Sequence, residues 1–192
     1  MQIKIEIRKN AREKRKALTN KEQCDLLIAK TLLNSNAYKN AKTVLIYVSL
    51  DDEIKTDSII NNALESGKTV AVPFCWDKQG NMDFYIINSL DVLKSGSFGV
   101  REPDINKSKK LTGFNNSVII VPGLVFDKNG YRVGFGKGYY DRFLSKNEIY
   151  SIGLCYDELL ISEVPRDEYD KNVDLIITQS SVINCEDGGK NG

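Results

Sequence analysis

Thr43–Pro73 reads TVLIYVSLDDEIKTDSIINNALESGKTVAVP, and it divides into a strand, a helix and a second strand. Thr43–Ser49 is an unbroken apolar, β-branched run, the composition of a strand buried on both faces. Thr56-Asp57-Ser58 caps the helix carrying Ile59, Ile60 and Leu64, and Gly67 stops it. Thr69–Pro73 is the next strand. A strand–helix–strand unit of this length closes right-handed and leaves its two strands parallel. The predicted class is therefore α/β: a single-domain three-layer sandwich with a mostly parallel central sheet flanked by helices. Such sheets take ligands beyond the C-terminal ends of their strands. Asp51, Asp52 and Glu53 stand just there. Either they solubilise a loop, or Glu53 faces a cleft.

Working outward, Ser117–Val121, Tyr150–Tyr156 and Asp174–Thr178 supply further apolar strands. Phe74–Ile87 predicts a hairpin turning at Asp77–Gly80, with Met82, Phe84 and Ile86 alternating. Phe74, Trp76 and Phe84 either stack on a flat ring or fill core. Leu90–Asn116 is polar and reads as a long surface loop. Glu158–Pro165 is a short helix or loop. Residues 2–17 predict a helix with Ile3, Ile7 and Ala11 on one side. Thr19–Glu22 has the form of a capping box, opening a helix to about residue 34 with Leu26, Leu27, Ala29 and Leu33 inward. Residues 1–183 form one catalytic domain on this reading, and 184–192 a polar, frayed tail.

At 192 residues and 41% hydrophobic content, the chain suits one soluble globular domain. No apolar run nears the ~20 residues a membrane span needs, and no secretory signal is visible, so the expected location is the cytoplasm. A net charge of +1 offers no broad field to nucleic acid. The cysteines, Cys24, Cys75, Cys155 and Cys185, lack paired spacing and read as free thiols. Histidine is absent, which excludes imidazole acid–base chemistry and histidine metal sites. Chemistry here falls to carboxylates, Lys, Arg, Tyr, backbone amides or a carboxylate-bound metal.

Two segments suggest an anionic ligand. Pro122–Leu144, PGLVFDKNGYRVGFGKGYYDRFL, holds an Asn-Gly turn and then Gly134-Phe135-Gly136-Lys137-Gly138 directly before a predicted helix. Alternate glycines let the backbone approach a ligand, and a helix start gathers unpaired N–H groups. Lys137 adds a mobile charge, and Asp141, in the first turn, suits a divalent cation carried by such an anion. The spacing is neither that of a Walker A loop nor that of a dinucleotide fingerprint. The loop either binds an anion or merely turns the chain. In the first helix Lys4, Arg8 and Arg12 recur every four residues, forming either a solvated basic face or one with an anionic partner.

With these motifs in view, the chain resembles the 5-formyltetrahydrofolate cyclo-ligase family over nearly its whole length, from Lys4 to about Thr178. The resemblance is carried by the basic first helix with Lys4 and Arg8, and by Val48-Ser49-Leu50-Asp51-Asp52-Glu53-Ile54. Gly99-Val100-Arg101-Glu102-Pro103 adds to it, as does Val121-Pro122-Gly123-Leu124 through Gly138-Tyr139-Tyr140-Asp141-Arg142.

The resemblance implies ATP- and Mg²⁺-dependent closure of 5-formyltetrahydrofolate to 5,10-methenyltetrahydrofolate, giving ADP and phosphate. The formyl oxygen attacks the γ-phosphate, N10 attacks the activated carbon, and phosphate leaves. By matching position, ATP falls to Lys4, Arg8 and the run Arg132, Val133, Gly134, Phe135, Gly136, Lys137, Gly138, Tyr139 and Tyr140. Folate falls to Val48, Glu53 and Phe135–Tyr139, and Mg²⁺ to Asp141 and Asp174. Lys137, Glu53 and Tyr140 are the implied catalytic residues, in a monomer without nucleic-acid or membrane partners. Many family members carry Arg where Phe135 stands. Either Lys137 covers that charge or Phe135 stacks on the pterin. A nucleotide-binding regulator without chemistry and an RNA-binding module are the rival classes.

Overall fold

In the computed structural model, which describes residues 2–77, 79–96 and 99–185, three helices open the chain. They are α1 (Gln2–Ala17), α2 (Lys21–Asn34) and α3 (Asn36–Asn40). The predicted βαβ unit follows as β1 (Thr43–Ile46), α4 (Asp57–Glu65) and β2 (Thr69–Cys75). β1 and β2 are parallel, with Thr43 opposite Thr69. β3 (Met82–Ile87) returns antiparallel, Met82 opposite Cys75. Next come β4 (Leu93–Ser95), β5 (Arg101–Pro103), β6 (Ser117–Val121), β7 (Val125–Asp127) and β8 (Arg132–Val133). α5 (Tyr139–Lys146), β9 (Tyr150–Leu154), β10 (Leu160–Ile161), β11 (Leu175–Ile177) and β12 (Val182–Asn184) complete the chain.

The central sheet has seven strands in the order β12-β11-β9-β6-β1-β2-β3. Its five inner strands run parallel, and the two edge strands run against them. The α/β architecture with a mostly parallel central sheet is therefore the one predicted. Leu45, Ile46, Ile119 and Ile120 are fully buried at the centre, as strands covered on both faces must be. Because β1, β2 and β6 point the same way, the turns after Ile46, Cys75 and Val121 meet at one edge.

Several local expectations are corrected. Leu26 and Leu27 of α2 are 70% and 41% exposed; Cys24, Ile28 and Leu32, spaced by four, form the buried face instead. The α2 N-cap is Asn20, with no side-chain capping bond, so the Thr19–Glu22 box does not form. Of the α1 residues, Ile3 is exposed, while Ile7 packs against the core and Ala11 is buried in it. Leu90–Asn116 is not a bare loop, because β4 and β5 pair within it. Their few, mostly polar residues lack the apolar run by which a strand is read. Of the expected tail, Asn184 closes β12 and the Cys185 amide donates to the Asp174 carbonyl; residues 186–192 lie outside the described residues. All four cysteines are free. Among the described residues, no helix is long and apolar enough to cross a membrane.

Candidate active site

The β7–β8 hairpin brings the glycine loop to the sheet edge, and a buried carboxylate fixes its shape. Asp127 Oδ1 accepts the amides of Asn129 (2.9 Å) and Tyr131 (3.1 Å), while Oδ2 accepts that of Val164 (2.9 Å). Beyond the hairpin, Gly136 and Gly138 have φ of +96° and +67°. Side chains rarely tolerate that conformation, and a Cβ on Gly136 would lie 3.1 Å from the Arg8 guanidinium. Arg8 Nε donates to the Gly134 carbonyl at 2.9 Å. Arg142 Nε donates to the Gly80 carbonyl at 3.1 Å, and its Nη2 to the Lys137 carbonyl. The Tyr139 hydroxyl donates to the Asp77 carbonyl at 2.7 Å. The loop is thus tied to α1, to the β2–β3 turn and to its own helix, while Lys137 and Phe135 stay exposed. Amides at the start of α5, with a lysine beside them, can hold an anion.

The charged residues around this loop are already paired. Lys4 Nζ lies 2.6 Å from Asp170 and 3.5 Å from Asp167. Arg132 is buried; its Nη1 donates to the Lys171 carbonyl (2.7 Å) and its Nη2 to Asp141 Oδ1 (2.9 Å). The same Asp141 oxygen accepts the Lys171 amide at 3.1 Å. Segment 167–171 therefore engages both the cation and the carboxylate assigned to a nucleotide and its metal. For Arg132 to reach a nucleotide it must exchange these partners. Val133 is buried, so only its backbone is available.

Asp174 stands at the start of β11, and its Oδ2 accepts from the Ser151 amide and hydroxyl, both at 2.7 Å. The contacts that gather the other residues do not include it. Among the described residues, no group of three or more His, Cys, Asp or Glu could hold a metal ion. Lone carboxylates fit a magnesium ion that arrives on a phosphate, since Mg²⁺ keeps its waters and takes one or two protein oxygens.

Glu53 lies on the neighbouring turn, 5% exposed, its Oε2 accepting the Leu50 amide at 2.9 Å. Burial pushes its carboxyl pKa up, while that amide and Arg15 pull the other way. Val48 is buried beside it in the chain. The Tyr140 hydroxyl is buried with no hydrogen-bond partner among the described residues. Burial drives its pKa well up, and Cys75 and Glu53 add to the effect. The hydroxyl is thus held in its neutral O–H form, in the first turn of α5 directly after the glycine loop.

Three contributors were not nominated from sequence: Asp127, Asp170 and Arg15. The Asp-x-Asn-Gly turn is a local signal for Asp127. Asp170 lies 166 residues from Lys4 and has none. Arg15 continues the step of four from Ile7 to Ala11 by one more.

A parallel α/β sheet whose one edge gathers an anion-suited glycine loop, paired cations and a buried carboxylate defines an enzyme for small molecules. A family model described as the 5-formyltetrahydrofolate cyclo-ligase family matches residues 1–179, and the chain belongs to that family. The 5-formyltetrahydrofolate cyclo-ligase of Mus musculus is 30% identical over 189 residues, covering 91% of this chain and 93% of its own. That of Escherichia coli (strain K12) is 28% identical over 177 residues, covering 89% and 97%. The NMR structure of Aquifex aeolicus 5,10-methenyltetrahydrofolate synthetase superimposes with a TM-score of 0.82 at 29% identity, covering 99% of this chain and 96% of that one.

Proposed function

We propose that this chain closes 5-formyltetrahydrofolate to 5,10-methenyltetrahydrofolate using ATP and Mg²⁺, with release of ADP and phosphate, as a monomer in the cytoplasm. The observation that carries the reading is the Tyr140 hydroxyl, buried and without a hydrogen-bond partner among the described residues, in the first turn of the helix that the glycine loop opens. Membership of the family supports the reaction class.

An amide oxygen is a poor leaving group, and phosphorylation makes it a good one. The formyl oxygen attacks the γ-phosphate and ADP departs. N10 then attacks the formyl carbon and gives up its proton, and phosphate leaves with the former formyl oxygen, able to carry that proton away. The protein's task is alignment and charge neutralisation, which needs no imidazole. Lys4, Arg8, Lys137 and the 134–138 amides grip the phosphates. Glu53 accepts hydrogen bonds from the pterin, with Val48 as apolar wall and Phe135 free to stack. Tyr140 donates from the far side. Asp141, with Asp174 assigned by family position, would hold the magnesium ion, which neutralises triphosphate charge when bound.

Mixing the protein with 5-formyltetrahydrofolate, ATP and Mg²⁺ should produce growing methenyl-folate absorbance. No ATP-dependent signal would favour a nucleotide-binding regulator. The RNA-binding alternative loses ground because the net charge is only +1 and Arg15 of the basic helix is buried. Steeply salt-dependent RNA affinity would restore it.

Glu53→Gln keeps the volume and one acceptor oxygen but removes the charge. It should raise the KM for the folate about tenfold or more, in the range of a lost charged hydrogen bond, and the KM for ATP far less. The reverse order would take Glu53 away from the pterin. Asp141→Asn should raise the Mg²⁺ concentration at half-maximal rate by about tenfold. An unaltered Mg²⁺ titration would count against a metal role.

A further inference from the structure

Arg15 is a buried cation for which the proposed reaction has no use. It lies on α1 one heptad beyond Arg8 and one step of four beyond Ala11, on the face turned to the protein, and it is 5% exposed. Its Nη2 donates to the Gly123 carbonyl, in the turn after β6. Its Nη1 lies 4.0 Å from the Asp52 carboxylate, in the turn after β1. Nε and Nη1 have no hydrogen-bond partner among the described residues. A guanidinium stays protonated in a protein, and burying it costs several kcal/mol unless negative charge stands close by. Asp52 and the buried Glu53 are that charge.

We propose that Arg15 is a positioning residue that ties the turn after β1 to the turn after β6 and thereby holds Glu53 in place as an ionised acceptor. The inference rests on Glu53 being the folate contact. A reduced pterin offers ring N–H and amino groups, which an ionised carboxylate accepts from both oxygens. A protonated carboxyl would present one donor instead. The groups that act on Glu53, or that it acts on, are Arg15 from α1, Lys21 from α2, Asp52 from its own turn, Tyr47 beyond β1 and Tyr140 from α5. Arg15 and Lys21 favour the ionised form; burial and Asp52 oppose it. Removing Arg15 therefore leaves burial less opposed, and Glu53 takes up its proton at higher pH.

The experiment compares Arg15→Met, which keeps the apolar stem, with Arg15→Lys, which keeps the charge and loses the fork. For Arg15→Met the acid limb of kcat/KM for 5-formyltetrahydrofolate should move up by about one pH unit, the order expected for losing one close charge. The folate KM near neutral pH should rise several-fold while that for ATP stays within about twofold. Arg15→Lys should return the acid limb towards its original position. In the Glu53→Gln background Arg15→Met should leave no pH effect, which a merely structural loss would not explain.

Carboxyl NMR of Glu53 without ligands supplies a readout besides activity, and its titration midpoint should rise in Arg15→Met. An unmoved midpoint and acid limb in a folded Arg15→Met protein would overturn the proposal. Should Arg15→Met fail to fold, Arg15→Lys decides. A retained midpoint with a raised folate KM supports the proposal, and an unchanged KM overturns it. A shifted midpoint alongside a Glu53→Gln variant with normal folate KM would uphold the tie and remove only the folate role of Glu53.

Discussion

Lys137→Ala should cut ATP-dependent turnover by about 100-fold or more, the loss typical of removing a preorganised group that meets developing charge. That factor corresponds to about 2.7 kcal/mol of transition-state stabilisation. Such a loss is expected because phosphoryl transfer gives the protein little covalent work and leaves charge neutralisation as its main task. The fold should be indifferent. Lys137 is exposed, and its ammonium makes no hydrogen bond or ion pair among the described residues. Its backbone carbonyl, which accepts from Arg142, is kept by alanine. Surface changes of this sort stay within about 0.5 kcal/mol. Steady-state kinetics beside a thermal melt make the check. An unaltered kcat/KM for ATP would remove the lysine from the mechanism, and a collapsed melt would show that the loop carries stability instead.

Asp127→Ala should have the opposite signature, a large loss of stability wherever activity is measured. The residue is fully buried, and its two oxygens satisfy three backbone amides drawn from its own turn and from Val164. Alanine leaves all three without this partner. The buried Val164 amide costs about 1–3 kcal/mol unpaired and the two part-buried turn amides, which water reaches, cost less, so a total on the order of 3 kcal/mol is expected. For a chain of this size that is a fall of roughly 10 °C in Tm. Asp127→Asn keeps one acceptor oxygen and should lose less. Denaturant melts of the two variants give the order directly. An alanine variant as stable as the parent would mean that water replaces the carboxylate and that the hairpin is not pinned from within.

Thr43–Pro73 announced its βαβ unit because β-branched runs and a stop glycine agree there. Thr56, at the N-cap position of α4, nonetheless makes no side-chain capping bond, and its hydroxyl pairs with Tyr47 and Ser49 instead. The place of the glycine loop, directly before α5, was legible because alternate glycines suit neither strand nor helix and Tyr139–Leu144 resumes a helical run. On α2, Ala29 and Leu33 face the core as expected, whereas Leu26 and Leu27, its most conspicuous apolar residues, fall outside the Cys24, Ile28, Leu32 register that packing selects. β4 and β5 escaped notice because a short polar ribbon carries no hydrophobic period. At the site, local residues could be nominated, but their partners could not. That Lys4 meets Asp170, and that Arg132 meets both Asp141 and Lys171, depends on chain crossings that no spacing records. Arg15 had a signal, its step of four on the inward face, but a charge in a basic helix is read as solvated.

Because Lys4 already holds Asp170 at 2.6 Å, an anion that engages this lysine swaps one negative group for another and does not meet a bare cation. The net gain is the difference between two attractions. Capture is gentler for it, and when the visitor leaves, the aspartate is at hand to take its place, so the lysine is never stranded between one turnover and the next.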